Sequence, residues 1–367
     1  MTSSLVSEMP TIQTQSPAKR ITDEQAALVI SGGGAKGAFA VGVLYDLHTR
    51  FRETGWFSIV GGASTGALIA PLAALMAANP DIADEALDVL IECYTMHDTS
   101  DFLDRRSWFK VLRKRDCINE SRPLRELMES RFLPEWFDWL KCPDSPDCYV
   151  VYTNLRTGQR VTVSLKDEAV TRERFLTAVL ASASVPVLME ATYVDDDPCY
   201  DGCLRDLLPF ERAVDLGATT IVPVFLDPEV LEERDEGLNR FDRILARAFS
   251  ILVDEVGKND LEVPRLQANG VRIREELEEM YETLAHMMPT TAVRKLKNQI
   301  CDMLRRTELQ PLLGDRLRVR RIVGGIRPRY QLADEALTFQ PDRMRSWFAH
   351  GQEVSRAVFD SSPFSFS

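Results

Sequence analysis

Apolar positions in this chain fall into short unbroken runs, separated by longer stretches in which they recur at helical spacing. Ala26–Ile30 (AALVI) is apolar throughout and stops at Ser31-Gly32-Gly33-Gly34, the pattern of a buried strand entering a turn. From Gly37 to His48 the spacing becomes helical. Trp56–Val60 predicts a second buried strand, followed at once by a glycine-flanked Ser64 and a long Ala/Leu-rich helix. Glu85–Leu140 reads mostly as helix. Cys148–Asn154 and Arg160–Leu165 read as two strands joined by a turn at Thr157-Gly158. A helix over Phe175–Ala183, an apolar strand over Thr219–Phe225 and a charged amphipathic helical stretch from Phe241 to Leu309 follow. A strand near Arg318–Val323 and a helix over Asp342–Val358 close the pattern. Strands alternate with helices, and no repeat or low-complexity linker interrupts them. That predicts one α/β domain around a mainly parallel sheet, spanning residues 25–360. Residues 1–24 are polar and aperiodic and predict a disordered leader, with a short tail over 361–367.

Composition narrows the function classes. With 367 residues, 45% hydrophobic and 27% charged, the chain has the balance of an ordinary globular protein with a substantial core. Its net charge of −12 gives no overall pull toward nucleic acid or an anionic membrane, so any such contact needs a local patch. Two stretches are candidates for touching lipid. Phe132–Leu140 is aromatic-rich, though such a cluster more often packs a short helix onto the core. Arg105, Arg106, Lys110, Arg113, Lys114 and Arg115 surround Trp108 and Phe109 and would suit anionic head groups, or form a solvated helix face. Nothing points to nucleic-acid binding. The seven cysteines are odd in number and scattered, which favours reduced thiols in a cytosol over disulfides or a zinc site. The first twenty residues hold no apolar run of the signal-peptide kind. Ile59–Ala78 is long and apolar enough to cross a bilayer, yet it contains Gly61, Gly62, Ser64, Thr65, Gly66 and Pro71 and lacks basic flanks. It reads instead as a buried strand–turn–helix. The expected location is cytoplasmic, with at most peripheral, transient contact with a membrane surface.

Three short patterns carry chemistry. Gly32-Gly33-Gly34-Ala35-Lys36-Gly37 fits GxGxxG between a strand and a helix. A dinucleotide site would also want a carboxylate ending the next strand, where this chain has Val60-Gly61-Gly62. A Walker loop is excluded because Ala38, not Lys, follows Gly37. The remaining use is an oxyanion hole built from consecutive glycine N–H groups. Gly62-Ala63-Ser64-Thr65-Gly66 is GxSxG between a strand and an apolar helix, the context in which a serine is lifted out of a sheet as a nucleophile. The bland alternative is a glycine-lined helix start packed closely on the sheet. A serine nucleophile needs a base. The four histidines, His48, His97, His286 and His350, lie on predicted helices or in polar stretches and read as structural or surface groups. Asp201-Gly202 is the better candidate, although an Asp-Gly pair is also an ordinary turn.

Taken together, the glycine turn with Gly42 five residues beyond it, the Ser64 motif and Asp201-Gly202 resemble the patatin-like phospholipase family. Ala181-Ser182-Ala183-Ser184-Val185-Pro186 resembles the family's stretch before the aspartate, and Asp201–Val224 the stretch after it. The likeness runs from about Ala26 to Val224, leaving 241–310 as a variable helical region within the domain. The resemblance implies a patatin-like three-layer α/β/α fold and hydrolysis of phospholipid, lysophospholipid or other acyl esters, without metal or cofactor. It also implies a Ser64–Asp201 dyad and an oxyanion hole from the N–H groups of Gly33, Gly34 and Thr65. Gly32, Gly37, Gly62, Gly66 and Gly202 complete the motifs. Lys36 matches a basic position of the family motif, where it orients the loop or meets a lipid phosphate. One residue departs from the pattern: Cys203 stands where the family usually has Gly or Ala, and its small size lets the turn survive. Two rival functions fit the same residues: a soluble small-ester esterase or thioesterase, and a catalytically silent lipid-binding scaffold built on the helical region.

Overall fold

The structure is a computed structural model and describes residues 25–52, 57–105, 117–230, 241–305, 321–323, 325–332 and 337–361. Along the chain, β1 (Ala26–Ile30) leads through a 3-10 turn (Gly34–Lys36) into α1 (Gly37–Phe51), and β2 (Ile59–Ala63) leads into α2 (Thr65–Ala78). α3 (Pro80–Thr95) starts where Asn79 accepts from the Asp81 N–H and Pro80 occupies the first turn. Then come α4 (Thr99–Phe102), β3 (Asp104–Arg105), β4 (Asn119–Glu120), α5 (Arg122–Arg131) and α6 (Pro134–Lys141). The hairpin β5 (Asp147–Asn154) and β6 (Gln159–Ser164) precedes α7 (Arg172–Ser182), which the Thr171 side chain caps. β7 (Thr192–Val194), β8 (Asp197–Asp201), a 3-10 turn (Gly202–Leu204), α8 (Phe210–Asp215) and β9 (Thr220–Val224) follow. The remaining elements are α9 (Phe241–Met287), α10 (Thr290–Arg305), β10 (Arg321–Ile322) and α11 (Pro341–Ser361).

The main sheet runs β10-β9-β1-β2-β5-β8-β7, with β6 also paired to β5. Alternation along its strands sorts side chains onto two faces. Leu28, Ile30, Val60, Val150, Val222 and Val224 join one core cluster with residues of α1, α2, α3, α7 and α11. Ala27, Val29, Ile59, Tyr149 and Ile221 join another, with Phe210 and Ala213 of α8 and Leu261 of α9. Helices therefore cover both faces, giving the three expected layers.

The sheet is mixed. β10, β9, β1, β2 and β5 are parallel, whereas β6, β8 and β7 are antiparallel additions. The second strand also lies further along than its apolar run suggests, over Ile59–Ala63 instead of 56–60. Gly61 lies in the sheet against the Tyr149 ring and Gly62 against Gly66, so these glycines continue the strand where close packing leaves no room for a Cβ. The described part of Glu85–Leu140 is mostly helical but also contributes the small β3–β4 ribbon.

Ile59–Ala78 resolves into β2, a turn and α2, and no helix among the described residues is long and apolar enough to cross a membrane. The aromatic stretch packs inward, with Trp136, Phe137 and Leu140 of α6 buried. Most of the basic run, 106–116, lies outside the described residues, as do the leader and residues 362–367 of the tail.

Candidate functional site

Sheet pairing brings the two motifs together from far apart in sequence. β2 runs along one edge of β5 until Ala63 lies opposite Val151. On the same edge, β8 runs in the opposite direction until Asp201 lies opposite Tyr152, the very next residue of β5. The other edge of β5 is occupied by β6. The last residue of β2 and the last residue of β8 therefore meet head to head, and Ser64 follows directly on the first.

Ser64 takes φ 54° and ψ −123°, a conformation that costs a non-glycine residue of order 1–3 kcal/mol and persists only where the surroundings fix it. They do so here from two sides. Its N–H donates to Ser182 Oγ at 2.9 Å, and its C=O accepts from Ala67 and Leu68 in the first turn of α2. Gly66 crosses so close to β1 that a Cβ would overlap the Ile30 carbonyl. The glycine turn closes the arrangement from above. At Gly32 a Cβ would overlap Cys203 Sγ and approach the Ser64 Cβ to 2.8 Å, so only glycine fits between those two side chains. Gly34 adopts φ 58°, turning the chain into α1. Gly37 backs onto Tyr94 and Thr65, and Gly202 onto the Val151 carbonyl. Among the hydrogen bonds of the described residues, none takes up the N–H of Gly33, Gly34 or Thr65. The Thr65 hydroxyl is held by the buried hydroxyl of Tyr94.

Asp201 is 1% exposed. Its Oδ1 accepts from the Cys203 N–H at 2.8 Å, its own N–H donates to the Ser184 carbonyl at 2.8 Å, and its C=O accepts from Thr153 Oγ1 at 3.0 Å. Its Oδ2 is buried with no hydrogen-bond partner among the described residues. Burial pushes the carboxyl up to about 6, with the Ser64 hydroxyl and the Cys203 N–H pulling it back. Cys203 is buried, and burial, then the Asp201 carboxylate, holds its thiol far above the usual range. The departure from the family pattern is thus accommodated as a neutral thiol packed on Gly32.

Gly34, Ser64 and Thr65 line an open cavity. The rest of the lining is almost wholly apolar and comes from α2, α3, α5 and α7, with Phe102, Leu103, Leu337 and Phe339 at one side. The last four belong to a strap in which Thr99 Oγ1 both donates to the Phe339 carbonyl (3.1 Å) and accepts from its N–H (2.9 Å). The Phe102 and Phe339 rings pack against each other with centroids 4.3 Å apart and planes tilted by 33°.

Lys36 does not line this cavity. Its buried ammonium is held by both oxygens of Asp227 at 2.6 Å, an arrangement that fits orienting the loop. None of the four histidines lines the cavity either. His48 pairs with Asp84 at 2.8 Å, and His350 Nε2 accepts from the Arg329 N–H. Among the described residues no group of three or more His, Cys, Asp or Glu is placed to hold a metal. Sequence reasoning gave no role to Ser182, Tyr94 and Asp227, which hold the Ser64 N–H, the Thr65 hydroxyl and the Lys36 ammonium. Ser182 alone carried a signal, as part of the quoted Ala181–Pro186 stretch.

Solved structures similar to this chain include VipD from Legionella pneumophila, at 14% identity over 92% of this chain and 67% of that one, with a TM-score of 0.43. ExoU of Pseudomonas aeruginosa, solved in complex with SpcU, matches at 14% identity over 89% of this chain and 70% of that one, with a TM-score of 0.27. At these scores neither likeness carries an argument. The family comparison is firmer. The model of the patatin-like phospholipases matches residues 28–214, just over half of the chain, and that span holds the end of β1, the glycine turn, Ser64, Asp201 and every strand between them. With those elements in that order, this chain belongs to the patatin-like phospholipase family.

Proposed function

We propose that the protein is a lipid acyl hydrolase in which Ser64 is the nucleophile and Asp201 the only side-chain base. Ser64 Oγ attacks the ester carbonyl while its proton passes to Asp201, and the carbonyl π electrons move onto oxygen. The N–H groups of Gly33, Gly34 and Thr65 receive that oxyanion, each such donor contributing roughly 3 kcal/mol to barrier lowering. Collapse expels the alcohol, which takes the proton from Asp201, and leaves an acyl-serine. Water, deprotonated by the same carboxylate, attacks the acyl carbonyl, and a second collapse releases the fatty acid and returns the proton to Ser64.

The observation that carries this reading is the head-to-head meeting of β2 and β8 on one edge of β5. The free glycine N–H groups and the apolar cavity support it, the latter fitting an acyl chain better than a polar substrate. A lipid substrate also implies transient contact with the membrane surface that holds it. Hydrolysis of a short-chain nitrophenyl ester tests the proposal. Ser64→Ala and Asp201→Asn should each lower kcat by at least about a thousandfold, near the range of a lost nucleophile or base. Full activity in Asp201→Asn would remove the carboxylate from the mechanism.

A further inference from the structure

The turn that presents Asp201 is tied on one side to the long helix α9, a region beyond the span matched by the family. From Gly202 onward the chain is wound tightly. The Gly202 carbonyl accepts from the N–H groups of Arg205 and Asp206, both at 2.9 Å. The next two N–H groups leave the turn altogether. Those of Leu207 and Leu208 both donate to Oδ2 of Asp260 on α9, at 2.8 and 3.1 Å. Packing follows the same path. Val253 and Val256 of α9 lie against a buried cluster of Ala63, Val151, Cys203 and Leu207, which includes the residue before Ser64. Gly257 approaches so closely that a Cβ there would come within 2.6 Å of Leu207 Cδ2. Asp260 keeps this place although it is half-buried near a second carboxylate, Asp206, which Arg160 pairs at 2.7 Å with Glu211 on the guanidinium's other side. A half-buried acid beside another acid is costly unless its acceptors are used, and here one oxygen serves two backbone donors.

We propose that Asp260 is a positioning residue: by clamping the Leu207 and Leu208 N–H groups to α9, it fixes the turn that aims the Asp201 carboxylate at Ser64. The proposal rests on the Ser64–Asp201 reading. It makes the helical region part of the catalytic scaffold, and it gives anything that displaces α9 a direct route to the base.

The test compares Asp260→Asn, Asp260→Ala and Asp260→Glu in the full chain, with rates expressed per serine labelled by a fluorophosphonate and melting temperature recorded alongside. Asn keeps an oxygen acceptor and should retain most of kcat. Ala removes it, and Glu displaces it by one methylene. Both should lower kcat about 10- to 100-fold, the cost of a small misplacement of a catalytic group, with KM little changed. The acid limb of the pH–rate profile should move in the same two variants, because the surroundings of Asp201 change. A merely structural residue would lower the melting temperature and leave kcat per labelled serine and the acid limb where they were. That result, in whichever of Ala and Glu folds, overturns the proposal. Ser64→Ala and Asp201→Asn run in parallel separate the two failures. If both stay active the dyad itself is wrong, and if both are dead while the Asp260 variants are normal, only the clamp is wrong.

Discussion

A carboxylate is a poor base for a serine hydroxyl when its pKa is near 4, and the surroundings of Asp201 correct this. Burial raises the carboxyl to about 6, so it holds a proton more firmly than an exposed aspartate while still being ionised at neutral pH. The direction of the pH dependence follows. The proposed base would act only when deprotonated, so activity is expected above about 6 and should be lost as pH falls through that value. We expect the acid limb of kcat/KM to show an apparent pKa near 6, measured from pH 4.5 to 8. A limb near 4 would mean that the base is an exposed carboxylate. Lys36 makes the complementary point at the same scale. Its motif position invited a role toward lipid phosphate, yet the bidentate hold of Asp227 turns its charge into the fold. A sequence records that a lysine is present but not which carboxylate, 191 residues away, takes it.

Among the elements, those with strong local signals were legible and those made by pairing were not. β1, α1, the β5–β6 hairpin and β9 fall where apolar runs, helical spacing and a glycine turn put them. β2 slid by three residues because glycines read as a stop, although here they continue the strand, Gly61 beneath Tyr149 and Gly62 against Gly66. β7 and β8 went unseen because both are short, β8 carries two aspartates, and they reverse through Asp195 and Asp196, both at positive φ (50° and 68°). The Ser64 and Asp201 motifs were readable, but their meeting depends on β8, and Asp260 gave no signal at all within a long charged helix. α2 supports a further prediction. It starts beside Ser64 and lines the cavity with Leu68 and Leu72, so Leu72 lies about 12 Å from the serine along the helix axis. Leu72→Trp should block the cavity at that depth. Across nitrophenyl esters from butyrate to palmitate, the long-to-short ratio of kcat/KM should fall at least about tenfold, as pocket-filling changes of this size do. An unchanged ratio would place the acyl chain elsewhere.

At the scale of the molecule, three layers hold one small region in place. Parallel strands bring the glycine turn and Ser64 side by side, an antiparallel strand returns Asp201 to them, and α9 backs the whole from the far face. The two rival functions separate at this scale too, since a silent scaffold would keep the layers without a reactive serine. The central claim is that Ser64 is activated by Asp201 and by no other side chain. The most direct measurement is the rate at which a fluorophosphonate labels the protein as a function of pH, with the adduct located by mass spectrometry. The account predicts one adduct, on Ser64, forming faster as pH rises through about 6, with that rise abolished in Asp201→Asn. An adduct on another residue, or an Asp201→Asn variant labelled as fast as the wild type, would contradict it.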